Sequence, residues 1–522
     1  MKRELMLKEL EDHLNKTWDV VVVGGGASGL GAALEAASRG FKTLLLEQAD
    51  FAKGTSSRST KLIHGGVRYL AQGDIALVYE ALHERGLLRQ NAPHLVGNQA
   101  FIIPNYEWWE GAFYTVGLKV YDMMAGKLGL SPSEGLSRKQ TIAAIPNIEE
   151  KDLRGGVKYY DGQFDDSRLA INLAQTIADQ SGTILNYMKV TGLIKNKEGL
   201  VRGVHVIDQE TGEEYKTKAK VVINATGVFV DTLLKMDDTE AKKTIVPSQG
   251  VHLVIDGKFL SGDSAILIPK TDDGRVLFAV PWYDKVVLGT TDTLVKNPSL
   301  EPRALEEEIE FILITAKKYL TKAPTRKDVL SVFAGLRPLA APEGNEKKTK
   351  EISRGHKIVV SLSGMLTMTG GKWTTYRKMG EDVIDQAIIV AGLKDVPSIT
   401  KNLSIHGSKE RQDQNDELRF YGSDAVAIRK LVNANSSLGE KLHTRLKFIG
   451  AEVVWAVREE MARTIEDVMA RRVRALFLDA KASMEMAEEV ARLMAEELGW
   501  DEARTANEVE AYHTLAAGYL LE

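Results

Sequence analysis

The stretch from Asp19 to Gly29, DVVVVGGGASG, decides the fold of the first part of this 522-residue chain. Its β-branched run, Val20–Val23, predicts a strand that is buried on both faces. The glycines that follow have the spacing G-x-G-x-x-G, and an alanine-rich segment to about Arg39 predicts a helix directly after them. A second apolar run, Thr43–Glu47, predicts another buried strand. The chain therefore begins with a βαβ unit.

Each part of the glycine pattern has a physical role in binding a dinucleotide. Gly24 permits the tight turn, Gly26 lets the backbone approach a pyrophosphate, and Gly29 lets the helix pack on the sheet. Ala27 and Ser28 lie between Gly26 and Gly29 and are expected to contact the cofactor, since the free N–H groups at the start of the helix attract phosphate oxygens. The pattern therefore predicts a dinucleotide site at the start of the helix.

The acidic residue after the second strand narrows the choice of dinucleotide. Glu47 lies 18 residues after Gly29 and can accept hydrogen bonds from both ribose hydroxyls. Its charge would repel a 2′-phosphate, which disfavours NADP. Later segments distinguish an FAD site from an NAD site. The strand end at Asn224–Gly227 and the sequence Gly370-Gly371-Lys372 are typical of a flavin domain assembled from distant pieces of the chain. The sequence therefore favours FAD.

Composition excludes several classes of protein. With 68 basic and 72 acidic residues the net charge is −4, so no overall charge attracts nucleic acid. The chain has no cysteine, which excludes disulfides, thiolate nucleophiles and cysteine-ligated metal clusters, and no metal site is predicted. The most apolar stretch, Val20–Leu34, is too short to span a bilayer. Met1–Lys16 is charged, which is not typical of a signal peptide.

The rest of the chain predicts two further units. Short alternating strands at 250–256, 264–270, 276–281 and 285–290 indicate a largely antiparallel sheet. After about Asn402 the chain is almost wholly helical, with a capping box at Thr464 and Asp467. Arg471, Arg472 and Arg474 favour a helix end or a domain contact over a lipid-binding patch. The predicted domains are an FAD-binding domain at 17–75, 155–240 and 355–395, a substrate domain at 76–154 and 241–354, and a helical domain at 400–522.

Four motifs, in this order along the chain, resemble FAD-dependent glycerol-3-phosphate dehydrogenases. They are KLIHGGVRYL at 61–70, GTTD at 289–292, GLRPL at 335–339 and GGKWTTYR at 370–377. The resemblance runs from about Asp19 to Gly380, and REEMART at 458–464 with RRVR at 471–474 extends it to the helical tail. It implies an α/β plus α+β architecture: a Rossmann-like FAD domain of the glutathione-reductase and D-amino-acid-oxidase type, a substrate domain with an antiparallel sheet, and a helical C-terminal domain.

The resemblance also implies the reaction and the place where it occurs. The substrate is sn-glycerol 3-phosphate, the product is dihydroxyacetone phosphate, and FAD passes electrons to membrane quinone. The protein is expected to bind peripherally to the cytoplasmic face of a bacterial membrane. We expect FAD to be bound non-covalently, and the oligomeric state, monomer or homodimer, is left open. Trp108-Trp109 is expected to pack in the core or in the substrate domain rather than to face the membrane or the quinone.

Site residues follow from the matched motifs. A phosphate dianion needs several cations, preferably guanidinium groups. The resemblance supplies substrate contacts from Arg68, Tyr69, Arg275, Thr290, Arg337, Arg354 and Lys372, with Thr291 as an alternative to Thr290. It also implies FAD contacts from Thr55, Ser56, Ser57, Ser59, Lys61, Leu62, His64, Val190, Ala225, Thr226, Gly227, Gly371, Lys372, Trp373 and Thr374.

Oxidation of an alcohol requires a base that removes the hydroxyl proton. His252 and His64 are both candidates, and His252 is assigned as catalytic together with Arg337 and Lys372. Lys372 is expected to stabilise negative charge on the flavin or on the substrate oxygen.

Three other functions remain open at this stage. A glycerol-3-phosphate oxidase would use the same motifs and reduce O2 to H2O2, but the long polar insertion of the compared oxidases is absent here. An amine or amino-acid oxidase would need one carboxylate-binding arginine instead of a polybasic pocket. A non-catalytic flavin sensor would bind flavin that glycerol 3-phosphate does not reduce.

Overall fold

The computed structural model describes residues 1–67, 70, 73–269, 271, 274–341, 355–410 and 415–521. Its strands are β1 Thr17–Val23, β2 Thr43–Leu46, β3 Leu62–Ile63, β4 Val96–Asn105, β5 Glu134–Ser137, β6 Gly155–Phe164, β7 Thr183–Leu185, β8 Met188–Lys195, β9 Val201–Asp208, β10 Glu214–Asn224, β11 Ile245–Asp256, β12 Ser264–Ile268, β13 Leu277–Trp282, β14 Lys285–Gly289, β15 Thr293–Leu294, β16 Val329–Ala340, β17 Lys357–Val360 and β18 Leu366–Thr369.

Helices cover both sheets and form the C-terminal part. They are α1 Arg3–Asp12, α2 Ala27–Ser38, α3 Ile75–Asn91, α4 Glu110–Ala125, α5 Arg138–Ala144, α6 Asp166–Asp179, α7 Val230–Asp237, α8 Glu306–Tyr319, α9 Tyr376–Ala391, α10 Ala425–Ala434, α11 Gly450–Glu460, α12 Ala475–Leu478, α13 Ala480–Glu485, α14 Ala487–Leu498 and α15 Glu502–Ala517. Among the described helices, none is long and apolar enough to cross a bilayer.

The first sheet contains the predicted βαβ unit. Its strand order is β17-β18-β10-β1-β2-β7, with β9 paired to β10 and β8 paired to β9. β1 pairs in parallel with both β2 and β10, which confirms that Val20–Val23 is a central strand with both faces buried. Helices α2, α6 and α9 pack together on one face of this sheet. The carboxyl ends of β1, β2 and β10 therefore meet at one edge.

The second sheet is the predicted, mostly antiparallel one. Its order is β15-β11-β14-β13-β12-β4-β6-β3, with β16 paired to β11 and β5 to β6. β4 and β12 are parallel neighbours, an exception to the antiparallel pattern. β3 and β6 belong to this sheet although they fall inside the segments assigned to FAD binding. The domain boundaries themselves stay a prediction.

The C-terminal helices pack on the second sheet. Their core includes Val254 of β11, Trp282 of β13 and Phe333 of β16. Thr464 and Asp467 form the predicted capping box: the Asp467 N–H donates to Thr464 Oγ1 at 3.2 Å, and the Thr464 N–H donates to Asp467 Oδ2 at 3.1 Å. The confirmed box fixes the start of the segment that carries the arginine cluster.

The arginine cluster is a domain contact. Arg471, Arg472 and Arg474 are all buried, and they bind carboxylates of the first unit. Arg471 and Arg472 pair with Asp50, while Arg474 pairs with Asp166 at 3.0 Å. Side chains in this position do not meet lipid, so the domain-contact interpretation is confirmed.

The aromatic pair before α4 corrects an expectation. Trp108 is 79% exposed and Trp109 45% exposed, so neither packs in the core. They begin an exposed apolar face that continues along α4 with Phe113, Val116 and Met123. The sequence shows an aromatic pair but not which face of the helix the sheet covers, and this is why the prediction was wrong.

Candidate active site

A cavity of about 690 Å³ lies where the two sheets approach each other. Its first part is lined by Val23, Leu46 and Ala225, at the carboxyl ends of β1, β2 and β10. Its other part reaches the second sheet at His252 of β11 and Arg337 of β16. The cavity is therefore long and joins the predicted dinucleotide site to strands of the predicted substrate domain.

The glycine turn forms one wall of this cavity. Gly24 has φ +111°, and a Cβ there would lie 2.6 Å from the Ala225 oxygen. A Cβ on Gly29 would lie 1.8 Å from the Gly24 oxygen, so only glycine lets α2 approach the strand this closely. Gly26 precedes α2 without a side-chain cap, and the Ala27 N–H donates to Ser56 Oγ at 2.9 Å. The turn and helix end have the geometry that the spacing predicts.

Glu47 lies beside the turn at the end of β2. Its two carboxylate oxygens accept the N–H groups of Gly25, at 2.6 Å, and Ala49, at 2.8 Å. Burial raises the pKa of Glu47 above its ordinary value, while these two N–H donors oppose that rise. Each oxygen keeps a lone pair for a further donor, as a ribose hydroxyl would require.

Two separated segments form the middle of the cavity. Thr55 Oγ1 donates to the Leu336 oxygen at 2.5 Å, and Trp373 Nε1 donates to the Ser56 oxygen at 2.8 Å. The His64 N–H donates to Thr374 Oγ1 at 3.3 Å. The structure therefore brings together 55–64 and 370–374, segments that the sequence separates by about 300 residues.

The end of the cavity at the second sheet is basic. Arg337 Nη2 donates to Thr290 Oγ1 at 3.1 Å, and its Nη1 lies 3.7 Å from Asp292. Ser248, opposite Arg337 across β11 and β16, donates to Asp292 in turn. Among the described lining residues, Glu47 is the acid and the bases are Lys53, Arg58, Lys189, Arg337 and Lys372. This charge balance suits an anionic ligand.

Sequence reasoning missed Lys53 and Arg58 as cavity residues. Both side chains bind Glu301, at 2.8 and 2.7 Å, and Lys53 also binds Glu466 at 2.5 Å. The carboxylates of Glu301 and Glu466 therefore neutralise these two charges. The signal in the sequence was their position within the polar stretch 53–59, but their acidic partners lie hundreds of residues away.

His252 lies at the floor of the basic end and is 2% exposed. Its ring stacks on Phe333 with centroids 4.8 Å apart, and its Nε2 lies 2.9 Å from Thr60 Oγ1. Burial lowers the pKa of His252 well below its ordinary value, and the charges of Lys61 and Arg337 lower it further. A neutral imidazole is able to accept a proton.

Two family models match the chain and together cover most of it. One, described as FAD dependent oxidoreductase, matches residues 19–377. The chain belongs to the FAD-dependent oxidoreductase family. The second model, described as the C-terminal domain of alpha-glycerophosphate oxidase, matches residues 388–505. The cofactor of this FAD-dependent oxidoreductase is therefore FAD, as the sequence predicts.

Curated relatives carry the name glycerol-3-phosphate dehydrogenase, mitochondrial. The bovine protein is 40% identical over 94% of this chain and 72% of its own length. The human protein is 39% identical over 97% of this chain and 74% of its own length. The protein from Schizosaccharomyces pombe is 38% identical over 96% and 87%. These relatives place the chain in the same family as the FAD-dependent glycerol-3-phosphate dehydrogenases and confirm the resemblance.

Solved structures confirm the fold class. The glycerol-3-phosphate dehydrogenase from Bacillus halodurans, complexed with FAD, has a TM-score of 0.81 and 29% identity over 99% of this chain and 98% of its own. The FAD-bound L-alpha-glycerophosphate oxidase from Mycoplasma pneumoniae has a TM-score of 0.55 and 18% identity, over 73% of this chain and 96% of its own. The second likeness concerns the fold alone.

The residues present fit FAD on the geometry of this cavity. Glycine at positions 24 and 29 lets the turn and α2 pack closely, because a Cβ at either position would clash with a backbone oxygen, and Gly24 lines the cavity together with the N-terminus of α2. The other predicted cofactor residues on the cavity wall are Gly26, Ala27, Ser28, Glu47, Thr55, Ser56, Ser59, Leu62, His64, Val190, Ala225, Thr226, Gly227, Gly371, Lys372, Trp373 and Thr374. FAD bound there would supply a two-electron acceptor.

Some predicted residues do not line the cavity. Lys61 is fully buried because its ammonium binds Asp166 at 2.7 Å, and burial lowers the pKa of Lys61 to about 7. Ser57 is buried as well, and its carbonyl oxygen accepts from Lys61. Arg275 lies over the ring of Phe311, 4.9 Å from its centroid. The structure does not place these three residues among the lining residues of the cavity, and their ligand contacts stay predictions.

Thr290 contacts Arg337 without lining the cavity itself, and Thr291 Oγ1 donates to Glu308 at 2.8 Å. The other predicted substrate contacts, Arg68, Tyr69 and Arg354, lie outside the described residues. The roles assigned to individual site residues stay predictions.

Proposed function

We propose that the protein oxidises sn-glycerol 3-phosphate to dihydroxyacetone phosphate with FAD as the hydride acceptor and passes the electrons to membrane quinone. The observation that carries this proposal is that Arg337, Lys372 and His252 line the same cavity as the dinucleotide turn. The names of the mammalian and yeast relatives and of the Bacillus structure support the choice of substrate.

Arg337 binds the phosphate group in this proposal. Arg337 is held in place by Thr290 and Asp292, which leaves its guanidinium plane oriented before the substrate arrives. A charge-assisted hydrogen bond to phosphate is about twice as strong as a neutral one. The phosphate then fixes the glycerol carbons relative to His252, and correct placement of the reacting carbon lowers the barrier.

His252 removes the hydroxyl proton in this proposal. Its buried imidazole is neutral, which is the state that a general base needs. Lys372 stabilises negative charge that develops on the substrate oxygen. FAD, when bound, supplies the acceptor for the hydride that leaves C2.

Anaerobic reduction of the bound flavin tests the substrate. The purified protein is mixed with glycerol 3-phosphate, glycerol or lactate without oxygen, and the visible absorbance of oxidised flavin is followed. We expect the absorbance band to bleach with glycerol 3-phosphate and to persist with glycerol or lactate. Dithionite is the control for a reducible flavin. Flavin that dithionite bleaches and glycerol 3-phosphate does not would overturn the proposal.

We also propose that the protein acts on the cytoplasmic face of a bacterial membrane. The exposed face of α4 supports a surface contact, because Trp109, Phe113, Val116, Val120 and Met123 follow helical spacing and are all exposed. Apolar and aromatic side chains on one helix face insert into the boundary between head groups and acyl chains. Such a contact would bring the flavin enzyme close to quinone.

Vesicle binding tests this surface. The double variant F113S/V116S is compared with the wild type in sedimentation with vesicles of phosphatidylethanolamine and phosphatidylglycerol. We expect the variant to bind at least about a hundredfold more weakly, since two buried apolar side chains together contribute about 3–6 kcal/mol. The matched control is V426S on α10, where Val426 is also exposed. Equal binding by all three proteins would rule out α4 as the contact.

The electron acceptor has its own test. After anaerobic reduction, the enzyme on vesicles is supplied with a soluble quinone or with air, and reoxidation is timed. We expect the quinone to reoxidise the flavin faster than air does. Rapid reoxidation in air with release of H2O2 would favour the oxidase.

A further inference from the structure

The imidazole of His252 has a second residue of the cavity wall, Thr60, at its Nε2. Its Nε2 lies 2.9 Å from the hydroxyl oxygen of Thr60. Its Nδ1 is buried, and in the part of the chain that the structure describes it has no hydrogen-bond partner. Thr60 lines the cavity and is only half-buried, whereas His252 is 2% exposed. Thr60 is therefore the more accessible of these two lining residues.

The ring of His252 is fixed without help from Thr60. Phe333 covers one of its faces, with ring planes 16° apart. The backbone of Gly289 lies so near that a Cβ there would come 2.3 Å from His252 Cδ2. Packing of this kind prevents the ring from swinging into the cavity. A hydroxyl placed at Nε2 is thus free to serve chemistry rather than positioning.

A threonine hydroxyl has the groups that a proton relay needs. It carries one donor and two acceptor lone pairs, so it can donate to a lone pair on Nε2 while it accepts from a second hydroxyl. Among the described residues, Lys61 and Arg337 are the charged groups that act on His252, and both favour its neutral state. Lys61 lies 5.0 Å from the centroid of Phe333, on which the imidazole stacks, and is itself paired with Asp166.

We propose that Thr60 carries the substrate proton to His252, an inference that rests on the proposed oxidation of glycerol 3-phosphate. The C2 hydroxyl gives its proton to Thr60 Oγ1 while the Thr60 hydroxyl proton moves to His252 Nε2. The C2–H bond breaks at the same stage and its electron pair leaves with the hydride to FAD, so that the C2–O bond becomes a carbonyl. The imidazolium returns its proton to solvent through the same hydroxyl after the ketone has left.

Two substitutions at Thr60 test the relay. T60V keeps the shape and removes the hydroxyl, and T60S keeps the hydroxyl. We expect T60V to reduce the rate of anaerobic flavin reduction by about 10²–10³-fold, the range of general acid–base catalysis, with substrate affinity changed only a few-fold. T60S is expected to stay within a few-fold of the wild type. The matched control is T217V, because Thr217 is a buried threonine of β10 outside the cavity.

A proton inventory gives a result, the shape of the plot of rate against D2O fraction, that a loss of packing would not change. The rate of flavin reduction is measured against the fraction of D2O. A relay moves two protons together and gives a curved plot in the wild type and T60S, whereas a single transfer in T60V gives a straight line. FAD content and melting temperature show that each variant is folded.

A measurement without turnover follows the imidazole itself. The nitrogen resonances of His252 are identified in ¹⁵N-histidine protein as those absent from H252N. We expect the Nε2 resonance to shift in T60V and to keep its wild-type position in T60S, because only T60V lacks the donor at that lone pair.

The outcomes separate this inference from the proposed function. Wild-type flavin that glycerol 3-phosphate does not reduce would overturn both. A wild type that is reduced normally, with T60V equally fast, would overturn the relay alone. T60S as slow as T60V would also overturn it, since the hydroxyl would then not be the group that matters.

Discussion

Arg472 and Asp50 form a bidentate ion pair in which both side chains are fully buried, with nitrogen–oxygen distances of 2.8 and 3.0 Å. Arg471 binds the same carboxylate. Burial raises the pKa of Asp50, but the two guanidinium groups outweigh this effect and lower it to about 2. Because Asp50 directly precedes the segment 52–60 of the cavity wall, the C-terminal helices hold the cofactor site in place.

Removal of the Asp50 charge should destabilise the protein strongly. In D50N two buried arginines lose their shared carboxylate, and breaking a buried pair from one side costs about 3–5 kcal/mol. The free energy of unfolding by urea and the FAD content are the measurements, and both should fall. The control is D416N, whose exposed pair with Arg429 should contribute less than about 1 kcal/mol. Equal effects of the two variants would contradict the role of this contact.

His406 should make stability depend on pH. It lies between Asp179 of α6 and Asp424, at 2.7 and 3.0 Å. Burial lowers the pKa of His406, but the two hydrogen bonds outweigh burial and raise it from 6.5 to about 9. Since the pKa is higher in the folded state, the stabilisation is present below pH 6.5 and is lost as the pH rises through about 9.

The urea midpoint of wild type and H406N, measured below pH 6.5 and above pH 9, checks this expectation. The wild type should lose more stability over that interval than the variant does. The same loss in both proteins would show that other groups cause the dependence.

Gly29 should be essential for FAD binding. In G29A the new Cβ would lie 1.8 Å from the Gly24 oxygen, so the glycine turn must move away from the cofactor site. We expect protein without bound flavin, measured as the ratio of flavin to protein absorbance. G117A is the control, because a Cβ at Gly117 on α4 has nothing within 4 Å. Full flavin content in G29A would show that the turn tolerates the shift.

Local patterns predicted what depends on neighbours in sequence. The run Val20–Val23, the spacing of Gly24 and Gly29 and the capping box at Thr464 all act over a few residues, and the structure has them where they were predicted. Each of these features is a backbone requirement that restricts which residue types are allowed.

Features that depend on distant partners were missed or misjudged. Thr60 contacts His252 of β11, although the two residues are 192 positions apart in the sequence. The resemblance implied ligand contacts from Lys61 and Arg275, but it gave no sign that Lys61 would bind Asp166 or that Arg275 would lie over Phe311. Spacing along the chain carries no information about such partners, because the topology of two sheets decides which loops meet.

The contrast between Arg337 and Arg275 gives a direct test of the cavity geometry. Arg337 lines the basic end, whereas Arg275 stacks on Phe311. R337M should lose a charged hydrogen bond to the phosphate, worth about 1.5–3 kcal/mol, and therefore lower kcat/KM for glycerol 3-phosphate by about 10–150-fold. R275M should change kcat/KM only a few-fold. Steady-state assays with an artificial acceptor measure both. A larger loss in R275M than in R337M would mean that Arg275, as the family resemblance implies, reaches the phosphate when substrate binds.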